Sequence, residues 1–117
     1  MSNLGMGSSW YGYNTEEINS NVSPNKIGNY ALGYEKEKGF IPKYVGRSDS
    51  DVQDELLNHL DDKKHHKKFM FSYASTKKEV YEQECKNFHD FEKQLENENH
   101  PDSPNGMNLK CPFQQYH

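Results

Sequence analysis

The sequence has few apolar residues and no long hydrophobic run. Hydrophobic residues make up 32% of the 117 residues, and adding the 8 glycines leaves the share below the roughly 45–50% of ordinary globular domains. A large dry core is therefore excluded, and the length allows one domain. No segment approaches the roughly 20 apolar residues of a membrane-spanning helix, and residues 1–10 lack a signal-peptide pattern. We expect a soluble cytoplasmic protein with no membrane partner.

Cysteine is also scarce, and its spacing excludes two classes of small protein. Cys85 and Cys111 cannot form a disulfide framework, and without a CxxC pair they do not predict a zinc finger. The six histidines show no HExxH or His-x-His spacing, so the sequence predicts no dedicated zinc site.

Basic residues are outnumbered, with 14 Lys and Arg against 18 Asp and Glu and a formal net charge of -4. This balance disfavours a nucleic-acid partner, because proteins that bind phosphates usually present a basic face. One local block of basic residues favours such a partner instead: two histidines are flanked by Lys63, Lys64, Lys67 and Lys68. The block is interpreted either as a phosphate-binding patch or as a solvated loop.

The pattern of residues divides the chain into three segments. Residues 1–24, rich in Ser, Asn and Gly, are expected to form a flexible arm with one helical turn that Asn14 caps. Residues 25–99 form the domain, and residues 100–117, with three prolines, form a loop or tail.

Within the domain, strand and helix periods alternate. Residues 29–32 and 41–45 predict a hairpin with a five-residue loop, in which Tyr30 and Tyr44 share a face of the sheet. A helix is predicted over about 50–62, a third strand over 69–74, and a second helix from Thr76 to near residue 96. The fold class is α+β, a small three-stranded antiparallel sheet flanked by helices.

Three polar side chains lie where chemistry is possible. Glu84 falls in the apolar stripe of the second helix, so its carboxylate needs a cation, a strong donor or a metal ion, unless it reaches the rim. His59 faces inward on the first helix, as a core histidine or a functional one. Arg47, the only arginine, follows Tyr44 and suits a phosphate or carboxylate, unless it closes a turn onto Asp49 or Asp51.

The order of these residues resembles the GIY-YIG nuclease family. Gly28-Asn29-Tyr30 is similar to the first motif of the family, and Tyr44-Val45-Gly46 is similar to the second. His59 and Glu84 follow at the positions of the histidine and the metal-binding glutamate. The resemblance covers about residues 28–99.

The resemblance implies a divalent-metal-dependent endonuclease that hydrolyses phosphodiester bonds, with DNA expected rather than RNA. It implies that Tyr30 orients or deprotonates the attacking water and that Tyr44 holds the water or the phosphate. Glu84 would bind one Mg²⁺ or Mn²⁺, and His59 would assist in positioning. The family also uses an asparagine, for which Asn97 is the first choice and Asn99 the second.

One departure from the family pattern opens an alternative. The helix arginine of the family is replaced by Glu55, preceded by Asp54, so the phosphate-stabilising charge is missing unless Arg47 supplies it. The alternative is a catalytically degenerate module of the same fold that binds a partner. A third interpretation, a domain whose tyrosines only pack, requires Tyr30 and Tyr44 on opposite faces. The sequence leaves the oligomeric state open.

Overall fold

The computed structural model describes residues 4–63, 65–97, 101–104 and 106–112 of the chain. These residues contain four strands and three helices. They are, in chain order, β1 (Tyr11–Gly12), α1 (Thr15–Asn21), β2 (Gly28–Lys36), β3 (Gly39–Ser48), α2 (Val52–Asn58), β4 (Lys68–Tyr73) and α3 (Lys77–Phe91).

The strands form one antiparallel sheet in the order β1-β4-β2-β3, so β3 is an edge strand. The predicted α+β class is confirmed, but the predicted strand number of three is wrong because β1 also joins the sheet. Strand β1 consists of Tyr11 and Gly12, which pair with Phe69 and Lys68. A strand this short has no alternation of polar and apolar residues from which it could be predicted.

The hairpin of β2 and β3 is tighter than the sequence indicates. Only Glu37 and Lys38 connect the strands, both with positive φ (53° and 66°), as a two-residue hairpin turn requires. The expected five-residue loop is therefore wrong, because neither residue is the Asn or Gly that usually marks such a turn. A register shift follows Leu32, where a Cβ on Gly33 would overlap the carbonyl oxygen of Ile41.

Each helix begins at a side-chain cap. Asn14 caps α1, as predicted, and Thr76 caps α3 in a capping box with Glu79, also as predicted. Asp51 caps α2, whose regular part is shorter than the predicted 50–62 and ends before His59. Helix α3 stops at Phe91 rather than near residue 96, because the following residues turn to bond the edge of β3.

Helices cover both faces of the sheet. Helices α1 and α2 pack on the face that carries Tyr30 and Leu32, where Ile18 and Leu56 are fully buried. Helix α3 covers the opposite face, where Phe88 packs with Ala31, Val45 and Met70. The core is thus two thin layers, in keeping with the low apolar content.

The described part of residues 1–24, expected to be an arm, is packed into the domain. Leu4 and Met6 are buried beside Val45, and α1 buries Ile18 against β4 and α2. In the C-terminal segment, Cys111 is buried against Tyr81 and Cys85. No helix among the described residues is both long enough and apolar enough to span a membrane.

Candidate active site at the edge of strand β3

The site is built around two tyrosines on one face of the hairpin. Tyr30 pairs in register with Gly46, and Tyr44 pairs with Leu32, so the two tyrosines are not directly opposite. They are nevertheless two positions apart on the same face, and their rings stack with centroids 6.4 Å apart at 24°. The shared face agrees with the sequence prediction. The third interpretation, a domain whose tyrosines only pack, required the two tyrosines on opposite faces, and this condition is not met.

Gly46 allows the Tyr30 ring to lie across β3. A Cβ at position 46 would come within 2.5 Å of both Cζ and the hydroxyl oxygen of Tyr30. Any side chain would therefore displace the ring. The Tyr30 ring therefore lies over β3, the edge strand of the sheet.

A chain of polar contacts leads from Tyr30 into helix α2. The Tyr30 hydroxyl donates to Oε2 of Glu55 at 3.3 Å, and the same oxygen lies 3.0 Å from Nε2 of His59. Burial, with Glu55 the next cause, raises the pKa of Tyr30 well above its usual range, so the phenol keeps its proton and donates. These contacts of Glu55 were not expected from the sequence, although its i, i+4 spacing from His59 was an available signal.

On the opposite face, Arg47 and Glu84 form an ion pair. The guanidinium Nη1 lies 2.5 Å from Oε1 of Glu84, and Nε donates to Asp49 at 2.8 Å. The guanidinium also lies over the Tyr81 ring, 5.3 Å from its centroid. The cation that the buried Glu84 required is thus Arg47, and the predicted contact of Arg47 with Asp49 is also present.

Glu84 is held in an environment that favours its neutral form. Its side chain is 11% exposed, and burial raises its pKa to about 7 although Arg47 acts in the opposite direction. Asp49 and Glu55 add to the rise. The carboxylate therefore titrates near neutral pH.

The charge of Glu84, on one face of the sheet, affects the pKa values of the two tyrosines on the other face. Burial raises the pKa of Tyr44, and Glu84 is the largest charge acting on it, followed by Glu55. Glu84 acts on Tyr30 as well. The tyrosines, Glu55 and Glu84 therefore share one electrostatic environment although they belong to different faces.

Of the predicted basic block, Lys63 reaches this site. Its ammonium lies 4.6 Å from the centroid of the Tyr44 ring and 3.9 Å from Oδ2 of Asp62. Lys67 is exposed, and Lys68 begins β4 in register with Gly33. Lys64 lies outside the described residues.

Asn97 occupies a position beside Tyr44 but is bound to the main chain. Its amide nitrogen donates to the carbonyl of Val45 at 2.8 Å, and the Val45 N–H donates to its side-chain oxygen at 3.0 Å. The side chain thus extends the hydrogen bonding at the edge of β3. Asn99, the second choice, lies outside the described residues.

Comparison with known proteins identifies no relative: no family model, curated protein or solved structure matches the chain.

Proposed function

We propose that the chain is a divalent-metal-dependent phosphodiester hydrolase that cleaves nucleic acid, with DNA as the expected substrate. The observation that carries the proposal is the hydrogen-bonded chain Tyr30–Glu55–His59 on one face of the sheet, together with the Arg47–Glu84 pair on the other face. Proton acceptor, phenol donors, a cation and a buried carboxylate are the groups that phosphodiester hydrolysis uses.

In this proposal Glu55 accepts the proton of the attacking water. Its carboxylate is already oriented by the Tyr30 hydroxyl and contacts His59, whose side chain is 28% exposed and can pass a proton to solvent. Tyr30, with its raised pKa, acts as a donor that holds the carboxylate in place. Tyr30 thus positions the Glu55 carboxylate, which differs from the direct action on the attacking water that the family resemblance implies.

Arg47 and Glu84 serve the phosphate and the metal ion. Mg²⁺ commonly binds one or two carboxylates together with waters and substrate phosphates, so the single carboxylate of Glu84 fits its preference. When bound, the ion supplies positive charge beside the phosphoryl and leaving oxygens. Arg47, which contacts Glu84 and Asp49, offers its planar donors to the phosphate.

The same geometry favours a second candidate, a degenerate module that binds nucleic acid or another partner without cleaving it. Arg47 is engaged by two carboxylates, and Glu55 replaces the cation of the family pattern. Near the tyrosines, Glu55, Glu84 and Asp49 oppose Arg47 and Lys63. An acidic site of this kind lacks the positive charge that stabilises the transition state of phosphodiester hydrolysis unless a divalent cation is bound.

The test is cleavage of labelled single-stranded, double-stranded and branched DNA, and of RNA, by the purified full chain with Mg²⁺ or Mn²⁺. We expect metal-dependent cleavage that falls about 10²–10³-fold in Glu84→Gln and Arg47→Ala and about 10²–10⁴-fold in Glu55→Gln. The control is Glu82→Gln, two residues from Glu84 on α3 and outside the site, which is expected to cleave at the wild-type rate.

Two outcomes decide against the proposal. If folded wild-type protein cleaves none of the substrates with either metal, the binding module becomes the better account, and anisotropy titration with the same nucleic acids tests it. If cleavage occurs but Glu84→Gln and Glu82→Gln are equally active, the activity does not arise from this site.

A further inference from the structure

A second cluster of polar side chains lies outside the candidate active site. His65 and His66 come from the loop between α2 and β4, and Glu96 comes from the segment after α3. Oε1 of Glu96 lies 3.0 Å from Nε2 of His65 and 3.3 Å from Nε2 of His66. In the part of the chain that the structure describes, this is the one group of three His, Cys, Asp or Glu side chains whose ligand atoms converge within 4.8 Å.

We propose that His65, His66 and Glu96 bind a Zn²⁺ ion. Zinc prefers imidazole nitrogens and carboxylate oxygens at about 2.0–2.2 Å, and tetrahedral coordination at these lengths separates neighbouring ligand atoms by about 3.3 Å. The two nitrogen–oxygen distances, 3.0 and 3.3 Å, agree with that separation. A water molecule completes the fourth position.

The burial of His66 is an independent observation that points to a ligand. Its side chain is 3% exposed, and its Nε2 has no hydrogen bond of acceptable geometry, although Glu96 lies nearby. A buried nitrogen without a hydrogen bond is costly, and coordination to a metal ion satisfies it. Burial lowers the pKa of His66, so the ring is neutral near pH 7 and its lone pair is available.

The charges around the cluster are compatible with a dication. The contact with His65 lowers the pKa of Glu96, so this carboxylate is ionised, and Zn²⁺ would displace the proton that the two groups share. Lys63 and Lys43 act electrostatically on the cluster and oppose a cation. The Lys63 ammonium, however, is engaged by Asp62 and by the Tyr44 ring, which reduces its effect.

The proposed ion has a structural role. The Glu96 N–H donates to the carbonyl of Lys43 at 2.6 Å, so Glu96 is attached to the edge of β3 next to Tyr44. Zinc at this position ties the loop of the basic block to that edge. The role does not depend on whether the chain cleaves nucleic acid.

The test is Zn²⁺ affinity of the untagged full chain, measured by competition with a chromophoric chelator. We expect one equivalent of Zn²⁺ to bind, with affinity falling at least tenfold in His65→Asn, His66→Asn and Glu96→Gln. The matched control is His89→Asn, because His89 also contacts a carboxylate, Glu92 at 3.4 Å, but lies on α3 outside the cluster. This variant is expected to bind as the wild type does.

Two further measurements make the outcome clear. Zinc is expected to raise the Tm of the wild type and of His89→Asn but not of His65→Asn, because ligands stabilise only the state that binds them. Bound Co²⁺ is expected to show the intense visible absorption of tetrahedral coordination. If His66→Asn does not fold, His65→Asn and Glu96→Gln, which change exposed residues, still test the proposed zinc site. Absence of stoichiometric Zn²⁺ binding, or equal binding in all variants, overturns the proposal.

Discussion

At the scale of single residues, Gly46 determines how Tyr30 reaches the edge of the sheet. The Tyr30 ring lies directly over this glycine, in space that a methyl group would occupy. The glycine of the second sequence motif thus has a packing reason in this chain that is separate from any catalytic role. Its effect on the fold can be measured independently of activity.

Gly46→Ala is expected to destabilise the protein by about 1–3 kcal/mol, because the new Cβ would lie 2.5 Å from Cζ and the hydroxyl oxygen of Tyr30. The measurement is the free energy of unfolding in urea. Gly39→Ala is the control, since a Cβ there would meet only the Lys36 carbonyl oxygen at 3.6 Å. Equal stability of the two variants would contradict the packing argument.

The long-range contacts of Glu55 and Asn97 could not be predicted from the sequence. Glu55 was interpreted only as the loss of a cation, because its contact with Tyr30 joins residues 25 positions apart. Asn97 was selected by analogy, and its two bonds to Val45 span 52 positions. Partners this distant in sequence are brought together by the sheet, and no local pattern reports them.

At the scale of the elements, local chemistry predicted the helices better than the turns. The cap at Asn14 and the capping box of Thr76 and Glu79 could be predicted from the sequence, because the bonded residues are at most four positions apart. The hairpin turn was not, since Glu37 and Lys38 adopt positive φ without the usual residue types. The register shift after Leu32 was equally hidden, yet the tyrosines still share a face.

Asn97 stabilises the edge of β3 through its two hydrogen bonds to the main chain of Val45. Replacing Asn97 should therefore affect the stability and the hydrogen exchange of this edge. Asn97→Ala removes two hydrogen bonds to Val45 and is expected to cost about 1–3 kcal/mol of stability. Hydrogen exchange at the Val45 amide is expected to accelerate more than exchange in β4. The control is Asn58→Ala, which removes one exposed hydrogen bond, to Asp54. Lost cleavage with unchanged Val45 exchange would instead indicate a direct role in the chemistry.

At the scale of the whole molecule, the sheet separates two helical layers, and the candidate site takes groups from both. Tyr30, Glu55 and His59 belong to the layer of α1 and α2, whereas Arg47 and Glu84 belong to the layer of α3. Neither layer carries the full set of groups. The pKa of Glu84 is shifted only when the folded chain surrounds it. The free energy of unfolding should therefore depend on whether Glu84 is protonated.

The sign of that dependence follows from the pKa of Glu84. Burial raises it to about 7 from the ordinary value of 4.5, so between these values the folded state binds more protons than the unfolded state. The contribution of Glu84 to stability is thus fully present below about pH 4.5 and is lost as pH rises through about 7. Glu84→Gln removes this titration, whereas Glu82→Gln removes a charge from the same helix at a less buried position.

We therefore expect the stability of the wild type relative to Glu84→Gln to fall by on the order of 1–3 kcal/mol between pH 4.5 and pH 8, because each unit of pKa shift corresponds to about 1.4 kcal/mol. Urea unfolding at several pH values, without divalent metal, measures the difference. Added Mg²⁺ should reduce the fall in the wild type alone, since a metal bound to the ionised carboxylate stabilises the folded state. A wild-type curve parallel to that of Glu84→Gln would show that the carboxylate titrates normally, and its ion pair with Arg47 would then offset the effect of burial.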